Sequence, residues 1–323
     1  MSTLLDNLAP TPRTPAPAPR RKRRPALLLT ARDVAILRDL FDSRILTARQ
    51  LADIHFHGSR NAAKQRLWAL KRAGHLAARF GSGAGEQQPL RLTRKGFEHL
   101  RAHGHLADYP RVTWLTMSKR LKVSDLTLGH ELDVGALKAA FHRVVRGLGS
   151  VSITTAVTWP RLLRFSARPS HTTEPVRVSP DGFVRLAQQV EPGMLRQLDF
   201  FLEVDRSTET LARIVERTAA YVAHYTTGGY AKRQGGNDPR AFPYRVLWTF
   251  RTQSRLDHFL RACREHARPI LKMAWATTHA RAIADPFAAI WRRPVDDPDT
   301  LHTLLNPTPT DNRPCDTSPT TSA

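Results

Sequence analysis

Cysteine is nearly absent from this chain: Cys263 and Cys315 are far apart, and the second sits in a polar stretch. That excludes a disulfide framework and a cysteine-based zinc cluster, and it fits a reducing cytoplasm. Long apolar runs are missing as well. No stretch approaches the ~20 apolar residues that cross a bilayer, and residues 1–25 hold no apolar core of leader length. A cytoplasmic protein with no membrane partner is therefore expected. Acids are scarce, with 28 Asp+Glu against 50 Lys+Arg and a net charge of +22. A surplus of that sign gathers polyanions. Nucleic acid is the polyanion whose phosphates Lys and Arg neutralise best. No glycine-rich loop ends in Lys-Ser/Thr, and no H-E-x-x-H pair occurs, which excludes a P-loop and a zinc-peptidase helix. His99 and His103 have i,i+4 spacing, but Arg101 stands between them with no cysteine near; they read as a solvated helix end.

What is present divides the 323 residues into about two domains. Residues 1–27 are rich in Pro, Ala and Thr and contain Arg20-Arg21-Lys22-Arg23-Arg24; a disordered basic arm is expected. Residues 28–107 read as a compact helical unit. Thr30 is placed to cap a helix carrying Ile36, Leu37, Leu40 and Phe41. Thr47-Ala48-Arg49-Gln50 has the capping-box pattern of a second helix. A third is expected over 60–73, closed by Gly74, with Ala63, Leu67 and Leu70 inward. Two short apolar runs around a glycine-rich segment, Gly81 to Gln88, predict a hairpin, and Thr93 caps a further helix.

This order is that of a winged helix-turn-helix module, whose third helix enters the major groove. From His57 to Lys122 fourteen Lys/Arg stand against Glu86, Glu98 and Asp108. Arg60, Asn61, Lys64 and Gln65 are the base-contact candidates, since Arg, Asn and Gln pair bidentately with base edges. Lys71 and Arg72, with Arg91 on the hairpin, complete the expected DNA-binding set. Winged helices also mediate protein contacts, so a solvated face stays open as the alternative. Residues 108–127 read as a basic linker, 128–293 as a mixed-sheet α/β domain, and 294–323 as a disordered tail. The fold class is α+β.

Three carboxylates stand at the ends of apolar runs: Asp181 in Ser179-Pro180-Asp181-Gly182, and Glu203 and Asp205 after Phe200-Phe201-Leu202. Glu203 and Asp205, two apart on a strand, point to one face. Glu131 opens the helix before the sheet. Carboxylates on adjacent strand ends can share a hard cation such as magnesium, so Asp181 and Glu203 are the expected metal ligands. The alternative is a structural network in which Asp205 caps the following helix and Glu203 pairs with Arg213 or Arg217.

His130-Glu131, Ser179-Pro180-Asp181-Gly182 and the run from Phe200 to Glu209 with Tyr221 following resemble the replication-relaxation family of bacterial plasmids and integrated mobile elements, over residues 30–280. The resemblance implies an N-terminal winged helix and a second domain like the PD-(D/E)XK nuclease fold. It also implies a role in plasmid replication or DNA relaxation. On that pattern Asp181 matches the first acid, Glu203 the second and Glu131 the helix acid, making Glu131, Asp181, Glu203 and Asp205 the candidate catalytic set. Asp205 stands where the pattern has Lys. The first expectation is thus a double-stranded DNA-binding protein of a plasmid or mobile element acting in replication, copy control or transfer. Other replication or transfer proteins, or a second copy, are its expected partners. A magnesium-dependent endonuclease or nickase, and a transcriptional regulator with a partner-binding second domain, are the alternatives.

Overall fold

The computed structural model describes residues 27–79, 87–159, 163–266 and 272–305. The chain is α+β. The expected arm up to residue 26, the hairpin tip at 80–86 and the chain beyond 305 lie outside the described residues.

The first unit forms where its caps predict. In α1 (Ala31–Ser43) the Asp33 carboxylate accepts the Thr30 N–H at 2.7 Å, and the Thr30 hydroxyl accepts the Asp33 N–H. A second capping box, Thr47 with Gln50, opens α2 (Ala48–His55). The turn into α3 (Arg60–Arg72) runs through His57 and Gly58, both at positive φ. Gly58, at φ 77°, adopts a conformation that costs most side chains energy. Ala63, Leu67 and Leu70 anchor α3 on the core. β2 (Leu76–Ala78) and β3 (Pro89–Leu92) pair antiparallel, and α4 (Arg94–Ala102) follows its Thr93 cap. An unexpected strand, β1 (Ile45–Thr47), completes a three-stranded sheet in the order β1-β3-β2. Three residues are too few to show an alternation.

The segment expected as a linker departs most from its sequence reading. Residues 114–120 form α5 (Trp114–Arg120), and Met117, Leu121 and, past the next strand, Trp159 are buried in the first core beside Phe41. Arg120 turns inward: it donates to the backbone carbonyls of Phe41 and Asp42 and lies 4.2 Å from the Trp159 ring centroid. Basic neighbours hid the apolar positions 114, 117 and 121.

The second unit begins with α6 (Asp125–Val145), capped by Ser124. Then come β4 (Val151–Val157), the small pair β5 (Phe165–Ala167) and β6 (Val176–Val178), and the long hairpin of β7 (Gly182–Glu191) and β8 (Met194–Asp205). Pro192-Gly193 forms the hairpin turn, with Gly193 at φ 80° as the third position of a type II turn requires. Next are α7 (Leu211–Thr226), α8 (Gly229–Arg233), β9 (Tyr244–Phe250), α9 (Gln253–His266), β10 (Ala274–Thr278) and α10 (His279–Ala284). The sheet order is β10-β9-β8-β7-β4; β8, β9 and β10 are parallel, and β7 and β4 are antiparallel to their neighbours. Both faces are covered. Phe200, Leu202 and Val204 of β8 meet α6 and α10, while Phe201 meets α7 and α9. Strand alternation therefore sends Glu203 and Asp205 toward α7 and α9. Among the described residues no helix is long and apolar enough to cross a membrane.

Helix α6 joins the two units. Lys138 is fully buried and donates to the Asp39 carboxylate at 2.7 Å and to the Ser43 hydroxyl at 3.1 Å. His55 closes on the other Asp39 oxygen at 2.7 Å. Gly135 lets α6 approach closely, since a Cβ there would stand 3.0 Å from Gln50 Oε1 and from a Leu46 methyl. Burial alone would raise the Asp39 carboxyl, but the charges of Lys138 and His55 hold it well below the usual range. Lys138→Met should cost about 3 kcal/mol, because it leaves the half-buried Asp39 carboxylate with His55 alone. Adding Asp39→Asn should restore most of that loss. Urea unfolding midpoints of the single and double variants measure both.

Candidate functional site

Two surfaces hold the residues singled out in the sequence. The first is the outer face of α3. Arg60, Asn61, Lys64, Gln65 and Arg72 are exposed on it. Lys71 leans to the hairpin, where its Nζ donates to Gln88 Oε1 at 3.1 Å. Arg91 is different: on the central strand it is half-buried, with Nε closed to solvent and unpartnered. Arg66 is also spent inward, its Nε donating to Asp33 at 2.7 Å. That contact clamps α3 to the start of α1. Trp68 was not among the candidates, yet it is 57% exposed, with Arg72 at 4.3 Å from its ring centroid. Its signal was legible, since it lies off the Ala63–Leu67–Leu70 stripe.

The second surface is the end of the β7–β8 hairpin, beside a cleft of about 1510 Å³. The starts of α6 and α7 and the loop before β6 wall the cleft. Register places Asp181 here: its N–H donates to Leu202 O at 3.1 Å, and its carboxylate accepts the Val204 N–H at 2.8 Å. Its other oxygen meets His130 Nε2 at 2.9 Å. Glu203 is fully buried and accepts from Tyr221 Oη at 2.5 Å and from Arg217 at 2.9 Å. Arg217 also pairs with Glu209 and lies over the Trp248 ring. Asp205 accepts from Arg255 Nε of α9 at 2.9 Å. Glu131 accepts from Arg44 of the first unit at 2.5 Å. Arg206 crosses α6 at Gly129, where any side chain would collide with it, and bonds Asp133 at 2.6 Å.

Each of the four candidate carboxylates thus has a cationic partner from the chain itself. Asp181 and Glu203, the expected metal ligands, each direct their oxygens to partners within the chain. Arg255 holds Asp205, and among the described residues no group of three or more His, Cys, Asp and Glu is arranged to hold a metal. A divalent cation wants several free oxygens; both oxygens of Asp181 and both of Glu203 already accept from groups of the chain, so this pair does not fit a metal. The other expectation, that Asp205 caps the next helix, also fails. Thr210 caps α7, because the helix begins four residues later than Ser207. The pairing of Glu203 with Arg217, on the other hand, is present. Neither Tyr221 nor Arg255 was read as its partner or that of Asp205; nothing in local spacing links α9 to β8.

The electrostatics follow from burial. Desolvation drives the Glu203 carboxyl upward, and the nearby Asp181 charge adds to it, against the pull of Arg217 and Tyr221. Burial and the Glu203 charge raise the Tyr221 phenol well above its ordinary value. Burial disfavours the His130 imidazolium, but the hydrogen bond and charge of Asp181 outweigh it and raise the group to about 9.

The model of the replication-relaxation family matches residues 37–240, a span that holds α3 and the four carboxylates. No curated protein and no solved structure matches the chain.

The His130–Asp181 pair carries a pH signature. A histidine whose folded value is raised stabilises fully below its ordinary 6.5, and that stabilisation is lost as pH rises through about 9. The Tm advantage of the wild type over His130→Gln should therefore be largest near pH 6 and shrink by pH 9.5. A difference that stays constant across this range would mean that the pair is not ionic.

Proposed function

Because the chain belongs to the replication-relaxation family, we propose that it is a double-stranded DNA-binding protein of a plasmid or other mobile element, acting in replication, copy control or relaxation of that DNA. The observation that carries this reading is the outer face of α3. Arg60, Asn61, Lys64, Gln65 and Arg72 are in solvent, and the helix sequence contains no acid. Helix, helix, helix, hairpin, helix is the winged helix-turn-helix order, which presents its third helix to the major groove. Cations there neutralise phosphates, while Asn61 and Gln65 suit base edges.

The second unit supports a nuclease-like scaffold without the nuclease's chemistry. With the separate β5–β6 pair set aside as an insertion, the order α6, β4, β7, β8, α7, β9, three antiparallel strands and then a parallel one, resembles that of the PD-(D/E)XK fold and supports this reading. Asp205 replaces the lysine of that pattern. Arg255 brings a cation near, but a guanidinium stays protonated and is a poor proton carrier. Arg217 and Tyr221 fill the Glu203 oxygens. The cleft then serves to bind or to brace rather than to cleave.

Full-length protein titrated with labelled duplex should bind with an affinity that falls steeply with salt. Lys64→Ala should weaken binding to all sequences and lower the log–log salt slope by about one. Supercoiled plasmid incubated with magnesium or manganese should stay intact. Nicking that disappears in Glu203→Ala would reinstate the endonuclease reading, and failure to bind duplex in dilute buffer would end the first.

A further inference from the structure

Helical spacing of 100° per residue puts Asn61, Gln65, Trp68 and Arg72 on one line. Trp68 is near the centre of the outward stripe, opposite the buried Ala63, Leu67 and Leu70. It is the most exposed of the described tryptophans, at 57%. Water is an unfavourable medium for an indole, and this one is exposed among the described residues. Arg72 lies over its face, 4.3 Å from the ring centroid. A guanidinium held against an indole face in this way gains a cation–π attraction. The contact limits the number of orientations that the guanidinium samples, and Arg72 stays exposed, so donors remain available to an outside acceptor. Arg72 has no carboxylate partner among the described residues. Its donors and the indole edge therefore face solvent together, flanked by Lys64.

From this pairing we infer that Trp68 and Arg72 form a preorganised reading head for a thymine–guanine step in the major groove, with Trp68 as a specificity-determining residue. The inference rests on the DNA-binding reading given above. The guanidinium edge matches the O6 and N7 acceptors of guanine, and the thymine C5 methyl is the apolar group that the groove offers an aromatic ring. The charge of the helix suits this occupant: Arg60, Lys64, Lys71 and Arg72 accompany the ring, and no acid on α3 repels a phosphate. Trp68 projects from mid-helix between Lys64 and Arg72. It lies along the groove floor there rather than acting as a wedge at a tip.

The test starts by selecting duplexes from a randomised pool on the full-length protein and measuring the winners by fluorescence anisotropy. The selected site should contain thymine beside guanine. Replacing that thymine by deoxyuridine removes only the methyl group. It should weaken wild-type binding about fourfold, the equivalent of ~0.8 kcal/mol for one buried methyl-sized group. Trp68→Ala should bind the thymine and deoxyuridine duplexes alike. Arg72→Lys should lose about tenfold of the preference for guanine. The deoxyuridine comparison uses unaltered protein, so it does not depend on how a variant folds. Sequence-preferring binding without a thymine–guanine step, or with no response to deoxyuridine, overturns the role of Trp68 and leaves DNA binding standing. Absence of any duplex binding by the wild type overturns the underlying reading instead.

Discussion

A carboxylate removed from water must be matched by a cation or it destabilises the fold, and this constraint organises the molecule. The chain has few acids, and those it buries are answered one by one. Asp33 meets Arg66, Asp39 meets Lys138, Asp199 meets Arg185, Glu203 meets Arg217 and Asp205 meets Arg255. These pairs hold α3 to α1, α6 to the first unit, and α7 and α9 to the central strand. The same pairs decide the chemistry at the strand ends. An arginine that neutralises a buried glutamate takes up the oxygens a metal would need.

The surplus of +22 is what remains after those pairs are made. On α3 the division is visible within one helix. Arg66 turns inward to Asp33, while its neighbours on the other side stay in water. The inward contact fixes the outward face, because a helix held by Leu67, Leu70 and a buried ion pair has little freedom to roll. Helix α6 has a parallel role between the units. Its first turns carry His130 and Glu131 to the cleft, and Lys138, two turns later, is locked against α1. Arg44, which reaches Glu131 from the first unit, holds φ 62°, a backbone conformation rare outside glycine. The outer face of α3 and the wall of the cleft are therefore parts of one braced body.

Much of the secondary structure was legible because its signals are local. Thr30, Thr47 and Thr93 cap the helices they were expected to cap, and Gly74 follows the end of α3. The two-residue spacing of Glu203 and Asp205 placed them on one face of β8. The three-residue strands β1 and β5 and helix α5 were missed. Each is too short for a period to emerge, and each forms through pairing or burial against distant residues. Arg91 was read as a surface cation and is half-buried, since the middle strand of a small sheet has neighbours on both sides.

By itself the sequence determined the helix caps, the strand alternation, the charge excess and the family, since these depend on residues within a few positions or on their total. Tertiary structure alone decided which cation answers which carboxylate. The partners stand 14 to 99 residues apart, and the energy of an ion pair depends on distance in space and on local burial. Asp181 and Glu203, which read as metal ligands, became ion-paired and hydrogen-bonded groups for that reason. Burial, invisible to a local pattern, set the competition between a bound ion and the chain's own arginines.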